Sequence, residues 1–231
     1  KVLRKYQRDG YRWLRTLDGY GMGGILADDM GLGKTVQVLS YLLAMKEGGQ
    51  HLPSLIVCPA SLVLNWQEEC QKFTPQLQSV AMDGDAAHRA ALVDGWAQAD
   101  IVITSYDLLR RDEKLYAGQS FYACILDEAQ AIKNHTTQKY KAVCRVNSRV
   151  RFALTGTPVE NRLGELWSIF SFLMPGYLPP YKTFCARFEK PIVQDEDANA
   201  VRRLNQFTGP FILRRMKSEV CLLYTSPSPR D

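Results

Sequence analysis

The chain has 231 residues, of which 46% are hydrophobic and 23% are charged, and it carries a formal net charge of +5 at pH 7. This composition is ordinary for a soluble globular protein that buries a full core. No run of about 18 apolar residues occurs and residues 1–10 are charged and amphipathic, so the sequence predicts neither a membrane span nor a signal peptide. We expect a cytoplasmic protein, associated with the nucleoid if it is bacterial.

The spacing of the six cysteines argues against a metal or disulfide protein, and the distribution of basic residues suits an anionic partner. No Cys-x-x-Cys pair or matching histidine spacing occurs, so the sequence predicts neither a zinc site nor a disulfide framework. Basic residues cluster at 1–15, 139–151 and 202–217. Such clusters suit a polyanionic partner such as nucleic acid, although solvated helix faces have the same composition.

Periodicity along the chain predicts the elements in order. Residues 2–17 place apolar side chains at helical spacing, which predicts an amphipathic first helix. Short apolar runs then predict buried strands at 24–27, 55–58, 101–104, 123–126 and 152–154. Amphipathic stretches between them predict helices at 35–45, 62–73, 86–96 and 137–146. Alternation of this kind predicts an α/β fold with a central, mainly parallel sheet flanked by helices.

The alternation stops at residue 162. Residues 162–208 are helical in pattern and rich in aromatic side chains, and several prolines interrupt them, which predicts a helical insertion. A final short strand is predicted at 211–213, followed at once by Arg214, Arg215 and Lys217.

The strongest motif is DDMGLGKT, residues 28–35, between a predicted strand and a predicted helix. Its glycines let backbone N–H groups surround phosphates at the positive end of the helix, while Lys34 reaches the β and γ oxygens and Thr35 binds Mg²⁺. The motif therefore predicts a site for ATP and Mg²⁺, and Asp28 stands where the general pattern has its first glycine. A chance glycine-rich turn is the alternative. The residues predicted to contact the nucleotide here are Asp29, Met30, Gly31, Leu32, Gly33, Lys34 and Thr35.

Two further motifs follow predicted strands. In CILDEAQ, residues 124–130, we expect Asp127 to hold Mg²⁺ and Glu128 to orient the attacking water, which with Lys34 gives three catalytic residues. Charges at a helix N-terminus are the alternative. In ALTGTP, residues 153–158, small hydroxyl side chains can bond the Asp127–Glu128 segment and sense the γ-phosphate. A plain Gly-Pro turn explains this last motif equally well.

Taken in order over residues 3–220, these motifs resemble the Swi/Snf-type, chromatin-remodeller-like ATPases of helicase superfamily two, and we expect a bacterial-type member. The resemblance implies a RecA-like P-loop lobe, the first of two. It makes Gln7 the adenine contact within LRKYQ, where Lys5 replaces the usual proline. It also implies coupling by Gln130, which stands where histidine is more frequent. The other implied coupling residues are Thr155, Gly156 and Thr157, with Glu160 and Asn161 completing that motif.

The same resemblance implies a nucleic-acid interface. PASL, followed by Asn65 and Trp66, and ITSY resemble strand-end motifs that grip a nucleic-acid backbone. The contact residues that they imply are Pro59, Ser61, Asn65, Thr104, Ser105 and Tyr106. Residues 162–208 correspond to the family's helical protrusion, which favours movement along duplex DNA over unwinding. A helical pair that only packs on the core is the alternative for that segment.

The last eleven residues, 221–231, leave the family pattern and look like a translated frame of a transposase sequencing adaptor. We therefore expect residues 1–220 to be the native lobe and the chain to be truncated. In this family the second lobe, the expected partner in cis, supplies an arginine worth on the order of 10³ to 10⁵ in rate. The fragment is thus expected to hydrolyse almost no ATP.

The resulting functional prediction is an ATP-driven motor that moves along double-stranded DNA and displaces bound proteins. Three alternatives stay open. The chain could belong to a superfamily-two RNA helicase or a restriction-type motor subunit, against which the insertion and residues 211–217 argue. It could be a nucleotide-responsive DNA-binding scaffold without hydrolysis. A small-molecule P-loop kinase is a weaker rival, because it would not need the strand-end motifs.

Overall fold

The computed structural model describes residues 3–159 and 162–220. Glu160 and Asn161 of the predicted coupling motif lie outside the described residues, as does the tail at 221–231. None of the helices in the described part of the chain is long and apolar enough to cross a membrane.

Seven parallel strands form one sheet within the described residues, in the order β3-β4-β2-β5-β6-β1-β7. The strands are β1 (Gly24–Leu26), β2 (Ser54–Cys58), β3 (Ser79–Ala81), β4 (Ile101–Ser105), β5 (Ser120–Leu126), β6 (Asn147–Leu154) and β7 (Ile212–Leu213). Strands β2 and β4 are buried along their whole length, because helices cover both faces of a parallel sheet. Strand β1 lies between β6 and β7, so the loop that follows it is flanked by the ends of both.

Helices connect these strands. They are α1 (Lys5–Gly19), α2 (Lys34–Glu47), α3 (Val63–Phe73), α4 (Ala86–Leu92), α5 (Tyr106–Arg111), α6 (Glu113–Tyr116), α7 (Gln138–Cys144), α8 (Leu163–Leu173), α9 (Tyr181–Phe184), α10 (Lys190–Gln194) and α11 (Ala198–Thr208). A π-helical turn, Cys185–Glu189, joins α9 to α10. The predicted α/β fold with a parallel sheet is confirmed.

The structure corrects several predicted elements. Strand β3 was not predicted, because it is only three residues long and pairs with β4 alone at the edge of the sheet. The helix predicted at 86–96 ends at Leu92 and gives way to a 3₁₀ turn. Gly95 is a poor helix former, and the turn buries Trp96 against Tyr116 and Phe121, with ring centroids 5.0 and 5.8 Å away.

The segment after residue 162 is helical, and its helices differ in what they cover. Helix α8 packs against β6, and its Leu166, Ile169 and Phe170 belong to the same apolar core as the sheet. Helices α10 and α11 contact each other and the π-helical turn, and Leu204 of α11 also belongs to that core. Whether any of this segment acts as the family's protrusion stays a prediction.

Candidate functional site

The carboxyl ends of β1 and β5 open into a cleft of about 610 Å³. It brings together residues from the first helix, the loop after β1, α2, α3 and the end of β5. Its lining is Leu3, Arg4, Tyr6, Gln7, Met30, Gly31, Gly33, Lys34, Thr35, Val36, Asn65, Glu69, Phe73, Asp127 and Glu128. Most of the predicted nucleotide and metal residues therefore share one site, as expected for the carboxyl edge of a parallel sheet.

The loop between β1 and α2 has the backbone that a phosphate site needs. Gly31 and Gly33 have φ values of 83° and 81°, which glycine adopts at little cost. Helix α2 begins immediately afterwards at Lys34, so its unpaired N–H groups and positive dipole end lie at the cleft. The Lys34 ammonium donates to the Asp28 carbonyl at 2.6 Å. This segment can therefore surround an anion.

Two residues predicted to contact the nucleotide, Asp29 and Leu32, contact neighbouring parts of the protein. Leu32 does not line the cleft and is buried with Tyr6 and Val220 in a small apolar cluster. The Asp29 carboxylate accepts a hydrogen bond from the Lys217 N–H at 2.9 Å. Both contacts hold the loop against neighbouring segments. That Asp29 and Leu32 contact the nucleotide stays a prediction.

Gln7 lies against the loop from the side of α1. Its amide donates to the Leu32 carbonyl at 3.2 Å and accepts from the Arg4 N–H at 3.0 Å. A Cβ atom at Gly33 would lie 2.6 Å from the Gln7 nitrogen, so the two approach as closely as a glycine allows. This places a hydrogen-bonding amide at the rim of the cleft, where it can contact a base.

The Asp127 carboxylate is held by two donors. The Trp66 indole N–H and the Glu128 N–H each donate to it at 2.8 Å. Burial raises the pKa of Asp127, while these two bonds stabilise the ionised form and oppose that rise. The Tyr106 hydroxyl donates to the Asp127 carbonyl at 2.6 Å, which fixes the backbone as well.

Glu128 begins a relay of side chains that leads to the end of β6. Its backbone is left-handed, with φ 47°, an uncommon conformation that clusters at functional sites. The Gln130 amide donates to the Glu128 carboxylate at 2.6 Å, and the Thr155 hydroxyl donates to Gln130 at 3.1 Å. The hydroxyls of Thr155 and Thr157 lie 3.0 Å apart and share a hydrogen bond.

Gly156 closes this arrangement against the phosphate loop. A Cβ atom there would lie 3.1 Å from the Met30 side chain and 4.0 Å from the Lys34 nitrogen. The predicted coupling residues are thus in contact with both the carboxylate pair and the loop. Through these contacts, a movement of the phosphate loop can displace the carboxylate pair, and the reverse. The coupling role itself stays a prediction.

Sequence reasoning missed the contribution of α3. Glu69 lines the cleft, and burial raises its pKa while a hydrogen bond with Thr35 opposes that rise. Trp66, on the same helix, is 1% exposed and holds Asp127. The local pattern of α3 carries no signal for these contacts, which depend on how the helix packs beside Thr35 and Asp127.

The six residues predicted to contact nucleic acid do not form one exposed surface. Thr104, Ser105 and Tyr106 are buried at the end of β4, where the Ser105 hydroxyl accepts from the Leu108 N–H and caps α5. Asn65 lines the same cleft as Thr35. Pro59 is half-buried and Ser61 is exposed after β2. Contact with nucleic acid stays a prediction for all six.

The donors at the cleft fit a magnesium ion that arrives with a nucleotide. Thr35 and Asp127 supply a hydroxyl and a carboxylate in one cleft. Across the described ranges, no group of three or more His, Cys, Asp or Glu side chains could hold a metal by itself. Mg²⁺ in nucleotide sites usually takes one or two carboxylates and completes its shell with phosphates and water, so this sparse set suits it.

Comparisons with known proteins indicate the family that the chain resembles. The SNF2-related domain matches residues 6–228. The chain is 42% identical to the TATA-binding protein-associated factor mot1 of Aspergillus fumigatus, over 94% of the chain and 13% of that protein. It is 43% identical to the putative ATP-dependent helicase/translocase YwqA of Bacillus subtilis, over 94% of the chain and 24% of that protein. The chain thus spans less than a quarter of the length of these relatives.

A solved structure is similar over nearly the whole chain. The Sulfolobus solfataricus SWI2/SNF2 ATPase core in complex with dsDNA has a TM-score of 0.90 and 40% sequence identity. The similarity covers 98% of this chain and 47% of that one.

Proposed function

Since the chain belongs to the SNF2-related family, we propose that its cleft binds ATP with Mg²⁺ and that the longer protein uses ATP hydrolysis to move along double-stranded DNA. The Swi/Snf-type resemblance and the RecA-like fold predicted from the sequence are confirmed by the family match and the structural similarity. The substrate, the motion and the partners are the proposal.

The observation that carries the proposal is the convergence of three motifs in one cleft. Lys34 and the start of α2 would contact the phosphates, and Gln7 would contact the base. Thr35 and Asp127 would hold Mg²⁺, which neutralises charge on the transferring phosphoryl group. Glu128 lines the same cleft as the loop, and its carboxylate would orient the attacking water.

The relay from Glu128 through Gln130 to Thr155 and Thr157 supports a motor over a simple binding module. A binding module needs no hydrogen-bonded connection between the hydrolytic carboxylate and the strand beyond it. In the proposed function this relay senses whether the γ-phosphate is present and passes the change to β6 and the segment that follows it.

Support for duplex DNA as the track comes from charge and from similarity. The chain carries a formal net charge of +5 with clustered basic residues, including the exposed Arg202 and Arg203 on α11. The similar Sulfolobus core was solved in complex with dsDNA. We propose that a second lobe in the longer protein completes the site with an arginine, that this chain alone hydrolyses almost no ATP, and that the motor displaces DNA-bound proteins.

Nucleotide binding by this chain is the first test. Lys34→Ala is expected to weaken binding of a fluorescent ATP analogue with Mg²⁺ by about 10- to 100-fold, because charged hydrogen bonds are worth about 1.5–3 kcal/mol. Lys46→Ala is the matched control, since Lys46 lies on the same helix and pairs with Asp100 at 2.5 Å instead. Equal affinity in the Lys34 variant and the wild-type chain would contradict the proposed site.

A further inference from the structure

Asp28 stands where the general phosphate-loop pattern has a glycine, and the structure gives this residue a partner. Its side chain is fully buried, and its carboxylate accepts from Arg215 Nε at 2.9 Å and from Arg215 Nη2 at 2.5 Å. Arg215 follows β7, 187 positions further along the chain. A buried carboxylate needs a charged partner of this kind, and two donors from one guanidinium fix its orientation.

Arg215 also contacts α1 and α2. Its Nη2 donates to the Gln37 side chain at 2.8 Å, and its Nη1 donates to the Tyr6 carbonyl. The guanidinium carbon lies 5.4 Å from the centroid of the Tyr6 ring. We call Tyr6, Asp28, Gln37 and Arg215 the arginine clamp. The two-nitrogen contact with Asp28, made together with the bonds to Gln37 and Tyr6, uses the planar fork of arginine, which a lysine ammonium does not provide.

The clamp holds both ends of the phosphate loop. Gln37 donates to the Asp28 carboxylate at 3.3 Å and to the Gly33 carbonyl at 3.2 Å. The Asp28 carbonyl in turn accepts from the Lys34 ammonium. Asp28 therefore contacts Arg215 directly. Gly33 is linked to Arg215 through the Gln37 side chain, and Lys34 is linked to it through Asp28.

Backbone contacts join the same two segments. The Ala27 N–H donates to the Leu213 carbonyl at 2.7 Å, and the Asp29 N–H donates to the Arg215 carbonyl at 3.1 Å. The segment after β7 thus continues alongside the loop past the end of the sheet. A displacement of this segment would move Asp28 with it.

We propose that Arg215 is a positioning residue for nucleotide binding: it fixes the phosphate loop through Asp28 and Gln37, so that the chain segment after β7 sets the affinity of the loop for nucleotide. The inference rests on the proposed function, because it assumes that the loop binds ATP. It explains why a buried aspartate is tolerated at the start of a loop that binds phosphate, since the guanidinium neutralises it.

A second aspartate–arginine pair provides a control, in which the aspartate is buried and the Arg149 side chain is 48% exposed. Asp18 is 4% exposed, and Arg149 donates to its carboxylate and, at 3.2 Å, to its carbonyl. The Arg149 guanidinium lies 5.3 Å from the Tyr122 ring, close to the distance in the clamp. This pair joins the last turn of α1 to the amino end of β6, whereas the cleft lies at the carboxyl ends of the strands. It also joins an aspartate to a guanidinium, through one carboxylate oxygen and the backbone carbonyl, but it does not involve the phosphate loop.

The test compares Arg215→Lys with Arg149→Lys in this chain. We expect Arg215→Lys to weaken binding of a fluorescent ATP analogue with Mg²⁺ by at least tenfold, and Arg149→Lys to change it by less than twofold. Hydrogen exchange of the amides at 28–34 is expected to quicken in the first variant alone. Gln37→Ala, which removes the link to Gly33, is expected to weaken binding at least threefold and serves if Arg215→Lys does not fold.

Affinity within twofold of wild type in folded Arg215→Lys, or in Gln37→Ala if the former does not fold, would overturn the proposal. So would an equal loss in Arg149→Lys, because a general loss of stability would then explain the result. If the wild-type chain bound no nucleotide, the proposed function would fail instead. The exchange measurement would still decide whether Arg215 fixes the loop.

Discussion

Replacing Gly10 with alanine tests the packing behind the phosphate loop. Alanine in the middle of a helix normally stabilises it relative to glycine, by about 1 kcal/mol. Gly10 is an interior residue of α1, yet a Cβ atom there would lie 1.8 Å from Gln37 Oε1 and 2.8 Å from Arg215 Nη2. The fully buried Gln37 side chain would have to move.

The cost follows from the bonds that Gln37 makes. It would lose those to Arg215 and Asp28, which are charged, and the one to the Gly33 carbonyl. Hydrogen bonds to charged groups are worth about 1.5–3 kcal/mol and neutral ones about 1, so the loss is about 4 kcal/mol at the low end. The gain in helix propensity of about 1 kcal/mol offsets part of this loss. We therefore expect Gly10→Ala to lower the free energy of unfolding by about 3 kcal/mol.

Thermal unfolding measures this directly. For a chain of this size, such a loss corresponds to a fall in Tm of about 6–12 °C. Gly19→Ala is the control, because Gly19 belongs to the same helix and a Cβ atom there would meet nothing within 4 Å. It is expected to leave Tm unchanged or raise it. A Gly10→Ala variant as stable as wild type would refute the packing argument.

Three further changes probe the cleft. Glu128→Gln is expected to keep nucleotide binding and abolish turnover in the longer protein; normal turnover would remove Glu128 as the group that orients water. Thr155→Val breaks the bond to Gln130, so DNA-stimulated turnover should fall more than nucleotide affinity, and an unchanged ratio of the two would contradict the relay. Trp66→Phe removes a donor to the Asp127 carboxylate, which raises the pKa of Asp127 further. Because Mg²⁺ needs the ionised form, the acidic limb of the pH profile for nucleotide binding should move to higher pH, and an unmoved limb would contradict this assignment.

The sequence predicted the parts of the site that local patterns encode. A glycine-rich loop that ends in Gly-Lys-Thr between a strand and a helix is a specific local motif, so the region from Asp28 to Thr35 could be located from the sequence. Asp127 and Glu128 could also be located, because they directly follow a short apolar run that predicts a buried strand. Parallel strands bring such ends to one edge, which is why separate motifs could be expected to meet.

Contacts between distant segments were beyond these patterns. Nothing near Asp28 indicates that its partner is Arg215, because a buried ion pair leaves no periodicity in the sequence. Trp66 and Glu69 look like ordinary residues of an amphipathic helix until α3 is placed beside Asp127 and Thr35. The burial of Tyr106 likewise depends on how the end of β4 meets Asp127.

ATP turnover by the longer protein, with duplex DNA, single-stranded DNA, RNA or nothing added, tests the central claim most directly. The account predicts strong stimulation by duplex DNA, and none in the Glu128→Gln variant. Stimulation by RNA alone would contradict the account in favour of an RNA helicase, and turnover unaffected by any nucleic acid would contradict a nucleic-acid motor altogether.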